Sequence, residues 1–443
     1  MSICLNDLYN YANDDTIVDY LIMFENLEQT KDMNIYTESE NLDFEIIDCK
    51  GQDIINLNYP KNTILKNILV TNEDYNIRDI VPYVLNVTPM QILVVVENNV
   101  KLKKNYQLSS EERLTEFKCC FYYLLLEKYR PSNIIQIVHS KGKGYYDVIN
   151  CNKIIEGINW IKELRQNGKN WDINNPGNQL ELYPNIKVIN NNNLITKRKF
   201  ELAVLNSEIS LLPLCTFKRR QLFFDKGIFS FNDPNFNLKL ANIDKEYVES
   251  VLLANQSNSF INKIALERFD RELFLDIENI NDIIYLIGVG YVENSKFIFK
   301  DFLCRSLTVY SQQTMINQFN TFIDNFKPER IYIWGNHEKS MFNKCKFKIS
   351  LDTTTLFDFC EWLQDEKIGI PGVFDFKLKN IGQCFKKLNL TLFEWKSLSS
   401  GLESIKIAKE AYQNNNKKQL QEIVEYNYYD VIIMYDIIKY FFP

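Results

Sequence analysis

The feature that most constrains this chain is an apolar hexapeptide, Leu273-Phe274-Leu275-Asp276-Ile277-Glu278, which carries two acids inside its own hydrophobic run. A short apolar run of this kind predicts a strand, and the strand period of two puts both carboxylates on one face. Two anions held that close repel each other, and a divalent cation is the natural remedy. A strand ending in a solvated acidic turn would read the same way, so the hexapeptide alone leaves both readings open.

Around it, short strands alternate with helices from Phe269 onward. Strands are expected over 273–277, 283–292, 296–302 and 330–334, with a helix over 312–326 and several more helices to the C-terminus. Strands first, helices after and one late strand give a mixed sheet flanked by helices, an α/β architecture. Upstream, Ile92-Leu93-Val94-Val95-Val96 predicts a buried strand, a helix follows from Ser110 to Tyr129, and a second strand spans 134–138. Helix signals recur over 154–164, 197–212 and 247–255, separated by Asn-rich stretches that read as surface loops. The expected organisation is an α/β domain over 1–150, a mainly helical connector with long loops over 151–265 and a second α/β domain over 266–443.

The 443 residues carry 51 Lys and Arg against 57 Asp and Glu, a net charge of −6, which excludes a protein that coats nucleic acid by charge alone. An enzyme holding cations over a nucleic acid stays allowed. Ten scattered cysteines, no Cys-x-x-Cys pair and two His argue against a zinc module. With no secretory signal and no apolar run of about 18 residues, the expectation is a reduced, soluble, intracellular protein, cytoplasmic or in a nucleoid or viral factory. Abundant Asn, Ile, Lys and Tyr fit an AT-rich genome, as in AT-rich microbes and large DNA viruses.

The second informative segment is Tyr426-Asn427-Tyr428-Tyr429-Asp430, inside a helical run over 420–440. The i, i+4 spacing sets the Tyr426 phenol and the Asp430 carboxylate on one helix face. Asp-x-Glu on a first strand, followed by Tyr-x-x-x-Asp on a last helix, resembles the tyrosine subclass of the DEDD 3′-to-5′ exonucleases on the ribonuclease H-like fold. That family adds an acid from a middle motif, usually Asp, just inside a helix after a strand. Here Arg330-Ile331-Tyr332-Ile333-Trp334 is followed by Gly335-Asn336-His337-Glu338, and Glu338 stands in that place. A Glu there is similar to the RecB-associated branch of ribonuclease H-like nucleases. Likeness to that branch continues through Leu356-Phe357-Asp358, Phe376 to Gly382, Trp395 and Ser400-Gly401. His337 is expected to enter the helix with its ring on a backbone group.

The resemblance implies that Asp276, Glu278, Glu338 and Asp430 hold two Mg²⁺ or Mn²⁺ ions about 3.5–4 Å apart for in-line displacement at a phosphodiester. It implies a single-stranded DNA or RNA 3′ end as substrate and a nucleoside 5′-monophosphate as product. Tyr426 would orient the attacking water; a phenol with an ordinary pKa of about 10 is a better guide than base. Lys377 and Lys379, and the clusters Lys197-Arg198-Lys199 and Lys218-Arg219-Arg220, are candidates for phosphate contact or for ordinary solvated faces.

In the same branch a region related to the PD-(D/E)XK nucleases often comes first. Asp79, the strand 92–96 and Glu97-Asn98-Asn99 follow its order, with Asn99 where the catalytic Lys should stand, so this domain is expected to be a degenerate, non-catalytic scaffold. Phe44-Glu45-Ile46-Ile47-Asp48-Cys49-Lys50 is a rival match by its Asp-x-Lys. Three functions stay in play: the exonuclease, a non-catalytic nucleic-acid-binding or assembly protein, and a structure-specific endonuclease.

Overall fold

The computed structural model describes residues 2–27, 46–52, 63–87, 89–96, 100–109, 112–139, 142–188, 190, 192–393 and 401–443. The segments Phe44-Glu45, Glu97 to Asn99, Trp395 and Ser400, singled out in the sequence, lie outside them. The chain divides into two compact units, one of residues 1–211 and 223–233, the other of residues 212–222 and 234–443.

The first unit is built on β1 (Ile46–Asp48), β2 (Ile64–Asn72), β3 (Ile77–Leu85), β4 (Gln91–Val96), β5 (Ile134–His139) and β6 (Gly142–Asp147), hydrogen-bonded in that order. β2, β3 and β4 form an antiparallel meander, and β5 pairs parallel with β4. A parallel pair needs a crossover, supplied by α3 among the helices of the described residues: α1 (Tyr9–Ala12), α2 (Ile17–Phe24), α3 (Arg113–Leu126), α4 (Asn152–Asn167) and α5 (Asn193–Leu205). α3 lies on β2, β3 and β4, where Phe121, Leu124 and Leu125 join Ile68, Val70 and Val81 in one buried cluster.

Charge is buried here too. Lys199 on α5 pairs with Asp15 at 2.6 Å, with both side chains no more than 4% exposed, and also donates to the Val188 carbonyl. Its neighbour Arg198 forks onto Glu25. Two of the three cations in the 197–199 cluster therefore serve internal pairing.

The second unit holds β7 (Glu272–Ile280), β8 (Ile283–Glu293), β9 (Lys296–Leu303), β10 (Arg330–Ile333) and β11 (Leu356–Asp358), in the order β11-β10-β7-β8-β9. The first three are an antiparallel meander; β10 joins the free edge of β7 in parallel and β11 joins β10 in parallel. This is the mixed sheet expected from the sequence, with a second late strand that the short, half-buried Leu356-Phe357-Asp358 did not announce. The helices are α6 (Phe217–Phe224), which crosses the division between the units, then α7 (Glu246–Ser257), α8 (Val309–Phe326), α9 (His337–Lys344), α10 (Phe359–Asp365), α11 (Leu378–Lys387), α12 (Gly401–Gln413) and α13 (Lys417–Lys439).

β7 is central and covered on both faces, which explains its near-continuous apolar sequence. Leu273, Leu275 and Ile277 enter a buried cluster with Met315, Ile316 and Phe319 of α8. The alternate residues meet the last two helices: Phe274 packs on Tyr435 of α13, Asp276 reaches Asn427 of α13, and Glu278 reaches Ser404 of α12. Among the described residues no helix is long and apolar enough to cross a membrane.

The buried pair in the first unit gives a direct test. Lys199→Met strands Asp15 and is expected to destabilise this unit by about 3–5 kcal/mol, read as a lower urea midpoint; an unchanged midpoint would show that the pair contributes nothing net.

Candidate metal centre

β7 delivers Asp276 and Glu278 to one face, and α13 lays Asp430 against them. One carboxylate oxygen from each of these three residues lies within 4.8 Å of the others. A register irregularity between Glu278 and Asn279 interrupts the β7–β8 ladder at this point. Such bulges bend a strand and re-aim its side chains.

Glu338 comes from the first turn of α9 and is 3% exposed. Its approach is set by the turn leaving β10. Gly335 adopts φ +90°, a left-handed conformation natural to glycine, and its N–H donates to Asp358 Oδ1 at 2.9 Å. The same Asp358 oxygen accepts the Glu361 N–H and so caps α10. Trp334 Nε1 donates to the Phe376 carbonyl. Glu338 stands outside the three-residue oxygen set, yet its charge raises the pKa of Asp276.

The electrostatics follow from crowding in a dry site. Burial, then the charges of Asp430, Glu278 and Glu338, hold Asp276 well above the carboxylate range, against the lowering effect of the Asn427 amide. Burial and Asp430 push Glu278 up to about 8, opposed by a hydrogen bond from Ser404 and the charge of Lys379. Burial pushes Glu338 up to about 8, with Asp358, Asp430 and Glu278 adding to the rise.

Glu338 Oε2 is buried with no hydrogen-bond partner. An orphaned carboxylate oxygen beside three mutually repelling carboxylates, all hard donors, fits a divalent cation such as Mg²⁺ or Mn²⁺. Asp276, Glu278 and Asp430 would hold it, with Glu338 at the flank.

Tyr426 is 5% exposed, and burial followed by the charges of Asp430, Glu278 and Asp276 raises its pKa, so the phenol keeps its proton. The Lys379 ammonium lies 4.6 Å from the Tyr426 ring centroid. Lys377, by contrast, is exposed and sits 3.5 Å from Asp375. Arg219 donates to the Leu214 and Asn242 carbonyls, Arg220 is only 7% exposed, and Lys218 is exposed. His337 opens α9, and its ring meets the Asn279 side chain at 2.9 Å rather than a backbone group.

The sequence reading passed over Ser404 and Asn427. Ser404 Oγ donates to Glu278 Oε2 at 3.0 Å, and Asn427 Nδ2 donates to Asp276 Oδ2 at 2.6 Å. Asn427 lies three residues before Asp430 in the same helix, so its i, i+3 spacing from the acid was the available signal; nothing near Ser404 marked it. In the first unit, both Asp79 oxygens accept backbone N–H groups, from Leu5 and from Ile80. Asp48 is exposed and accepts from the Lys50 N–H and the Asn67 amide.

Raised carboxylates give the metal-free protein a definite pH response. Folded Glu278 and Glu338 keep protons to about pH 8, whereas unfolded glutamates lose theirs near a pKa of about 4.3. Between those values the native state binds more protons, so stability falls as pH rises. In EDTA the urea midpoint is expected to drop between about pH 5 and pH 8.5, with Glu338→Gln flattening the slope and Mg²⁺ or Mn²⁺ restoring stability at the upper end. A midpoint that climbs steadily across this interval without metal contradicts the electrostatic picture.

Comparison with known families places this domain. Residues 273–442 match a family model described as the RNase_H superfamily, RNase_H_2. No curated protein and no solved structure matches the chain. The C-terminal domain is ribonuclease H-like, a fold that suggests nuclease-type chemistry on a nucleic-acid substrate.

Proposed function

We propose that the C-terminal domain is a metal-dependent 3′-to-5′ exonuclease of the DEDD type, tyrosine subclass, close to the RecB-associated branch, releasing nucleoside 5′-monophosphates from DNA or RNA. The observation that carries this reading is the meeting of Asp276 and Glu278 from β7 with Asp430 from α13, and Tyr426 one helical turn before Asp430. Two bound divalent ions would supply a clamp for the attacking and leaving oxygens of an in-line displacement.

The chain's own residues do the rest. Asp276, Glu278 and Asp430 offer oxygens from two rigid elements, so their spacing is set by the sheet and helix rather than by a loop. Tyr426 keeps its proton, so its hydroxyl can donate one hydrogen bond and accept others, which suits it to orient a water toward the terminal phosphodiester. Lys379, over the Tyr426 ring, brings positive charge to the side where a phosphate would lie. Lys377 offers a second cation at the start of the same helix. The basic segment Lys218 to Arg220 contributes at most its exposed Lys218 to strand contact, because the Arg219 guanidinium is held on two carbonyls and Arg220 is buried.

For the first unit we propose a non-catalytic scaffold. Its antiparallel meander, crossover helix and parallel fourth strand support a PD-(D/E)XK-like frame, while Asp79 is engaged in holding the Leu5 N–H.

The test is a strand with a 5′ label, in single-stranded DNA and RNA forms, incubated with Mg²⁺ or Mn²⁺. A descending ladder is expected, and Asp276→Ala or Asp430→Asn should slow it on the order of 100-fold or more. Tyr426→Phe should lower kcat while leaving metal affinity in place. Absence of truncation with either metal, or full activity in both acid variants, removes the exonuclease reading; cleavage of a covalently closed single-stranded circle would replace it with an endonuclease.

A further inference from the structure

Asn427 has no part in the chemistry above, yet it is fully enclosed at 0% exposure. Its Nδ2 donates to Asp276 Oδ2 at 2.6 Å, and its Oδ1 is buried without a hydrogen-bond partner. A buried amide oxygen left unpaired is unfavourable, and an apolar residue at this position would carry no such unpaired group. The residue therefore destabilises the fold on one side while serving Asp276 on the other.

The opposite strand is shaped around it. Gly288 is the ladder partner of Asp276 in the β7–β8 pairing. A Cβ at Gly288 would lie 1.7 Å from Asn427 Oδ1 and 2.8 Å from its Cγ, so any other residue would displace the amide. Three positions on three elements thus form one unit: Asp276 on β7, Gly288 on β8 and Asn427 on α13.

We infer that Asn427 is a positioning residue that fixes the orientation of the Asp276 carboxylate toward Glu278 and Asp430, and that Gly288 is glycine to admit it. This rests on the metal-binding reading of the cluster. A carboxylate on a strand can rotate about its terminal bond, and a single short hydrogen bond from a side chain locked in a packed helix removes that freedom before a cation arrives. Hydrogen bonds of this kind orient metal ligands, and their loss typically lowers metal affinity about 10–100-fold.

The experiment measures Mn²⁺ binding to the full chain by calorimetry, without nucleic acid, beside urea unfolding in EDTA. Asn427→Leu and Asn427→Ala should each weaken Mn²⁺ about 10–100-fold. Loss of Mn²⁺ affinity in variants that the metal-free urea transition shows to be folded is the readout that a merely structural asparagine would not move; a lower midpoint for the bulkier Leu reflects overpacking and does not touch the argument. Gly288→Ala should weaken Mn²⁺ to the same degree, and Gly288→Ala combined with Asn427→Ala should bind no more weakly than Asn427→Ala alone, since the clash with the amide is gone and only the edge of the Phe299 ring, 3.0 Å from the new Cβ, has to give. Should Gly288→Ala fail to fold, the two Asn427 variants decide the matter. Wild-type Mn²⁺ affinity in folded Asn427→Leu overturns the positioning role while leaving the metal reading intact. A wild-type chain that binds no Mn²⁺ overturns both.

Discussion

Repulsion among carboxylates gathered out of water is the constraint around which the second unit is organised. Asp276, Glu278 and Glu338 all have pKa values raised by burial and by their acidic neighbours. Left to themselves, such groups would swing apart or stay protonated. They are kept together because none sits on a free loop. Asp276 and Glu278 project from a central strand, Glu338 from the first turn of a helix whose entry is tied down, and the Asp430 that repels them from a 23-residue helix. Packing of the sheet and helices is what opposes the repulsion, and a cation is what would convert the opposition into affinity.

The framing of Glu338 shows how local conformation is coupled to this centre. β10 must stop, turn and start a helix within a few residues, and Gly335 provides the left-handed residue that makes the turn. Asp358, at the end of β11, then holds the Gly335 N–H and caps α10 with the same oxygen. The parallel pairing of β10 with β11 is thus more than an extension of the sheet. It positions an acceptor that locks the turn from which Glu338 departs.

Much of this was legible in the sequence because it depends on periodicity. β7 announced itself through an apolar run with acids at i and i+2, and α13 through Tyr426 and Asp430 at i and i+4. Less legible were elements whose stability comes from partners. β11 has three half-buried residues and exists by pairing with β10. β2 and β3 carry Asn67, Asp79 and Pro82 among their apolar residues, which blurs alternation. Ser404 and Asn427 act through contacts 126 and 151 residues away in sequence, and no local pattern encodes such a pairing. The Lys197-Arg198-Lys199 cluster was ambiguous for a related reason: Lys199 and Arg198 face acids of the N-terminal segment, which sequence spacing cannot reveal.

Helix α13 explains why so few residues suffice. At about 100° per residue, Tyr426, Asp430 and Asn427 fall within an arc of about 100°, with Asp430 between the other two. The same arc continues into Val431 and Met434, both fully buried, so the polar trio takes the place of apolar residues along one stripe of a core helix. Rotating the helix by a single residue would withdraw the phenol, the carboxylate and the amide together and turn a different set of side chains to the sheet. The register of α13 is fixed by apolar contacts such as Tyr435 against Phe274 and Phe297, and by Val431 against Gly290. Precision at the acidic centre is therefore inherited from hydrophobic packing further along the same helix. The acids themselves, which repel, could not have set it.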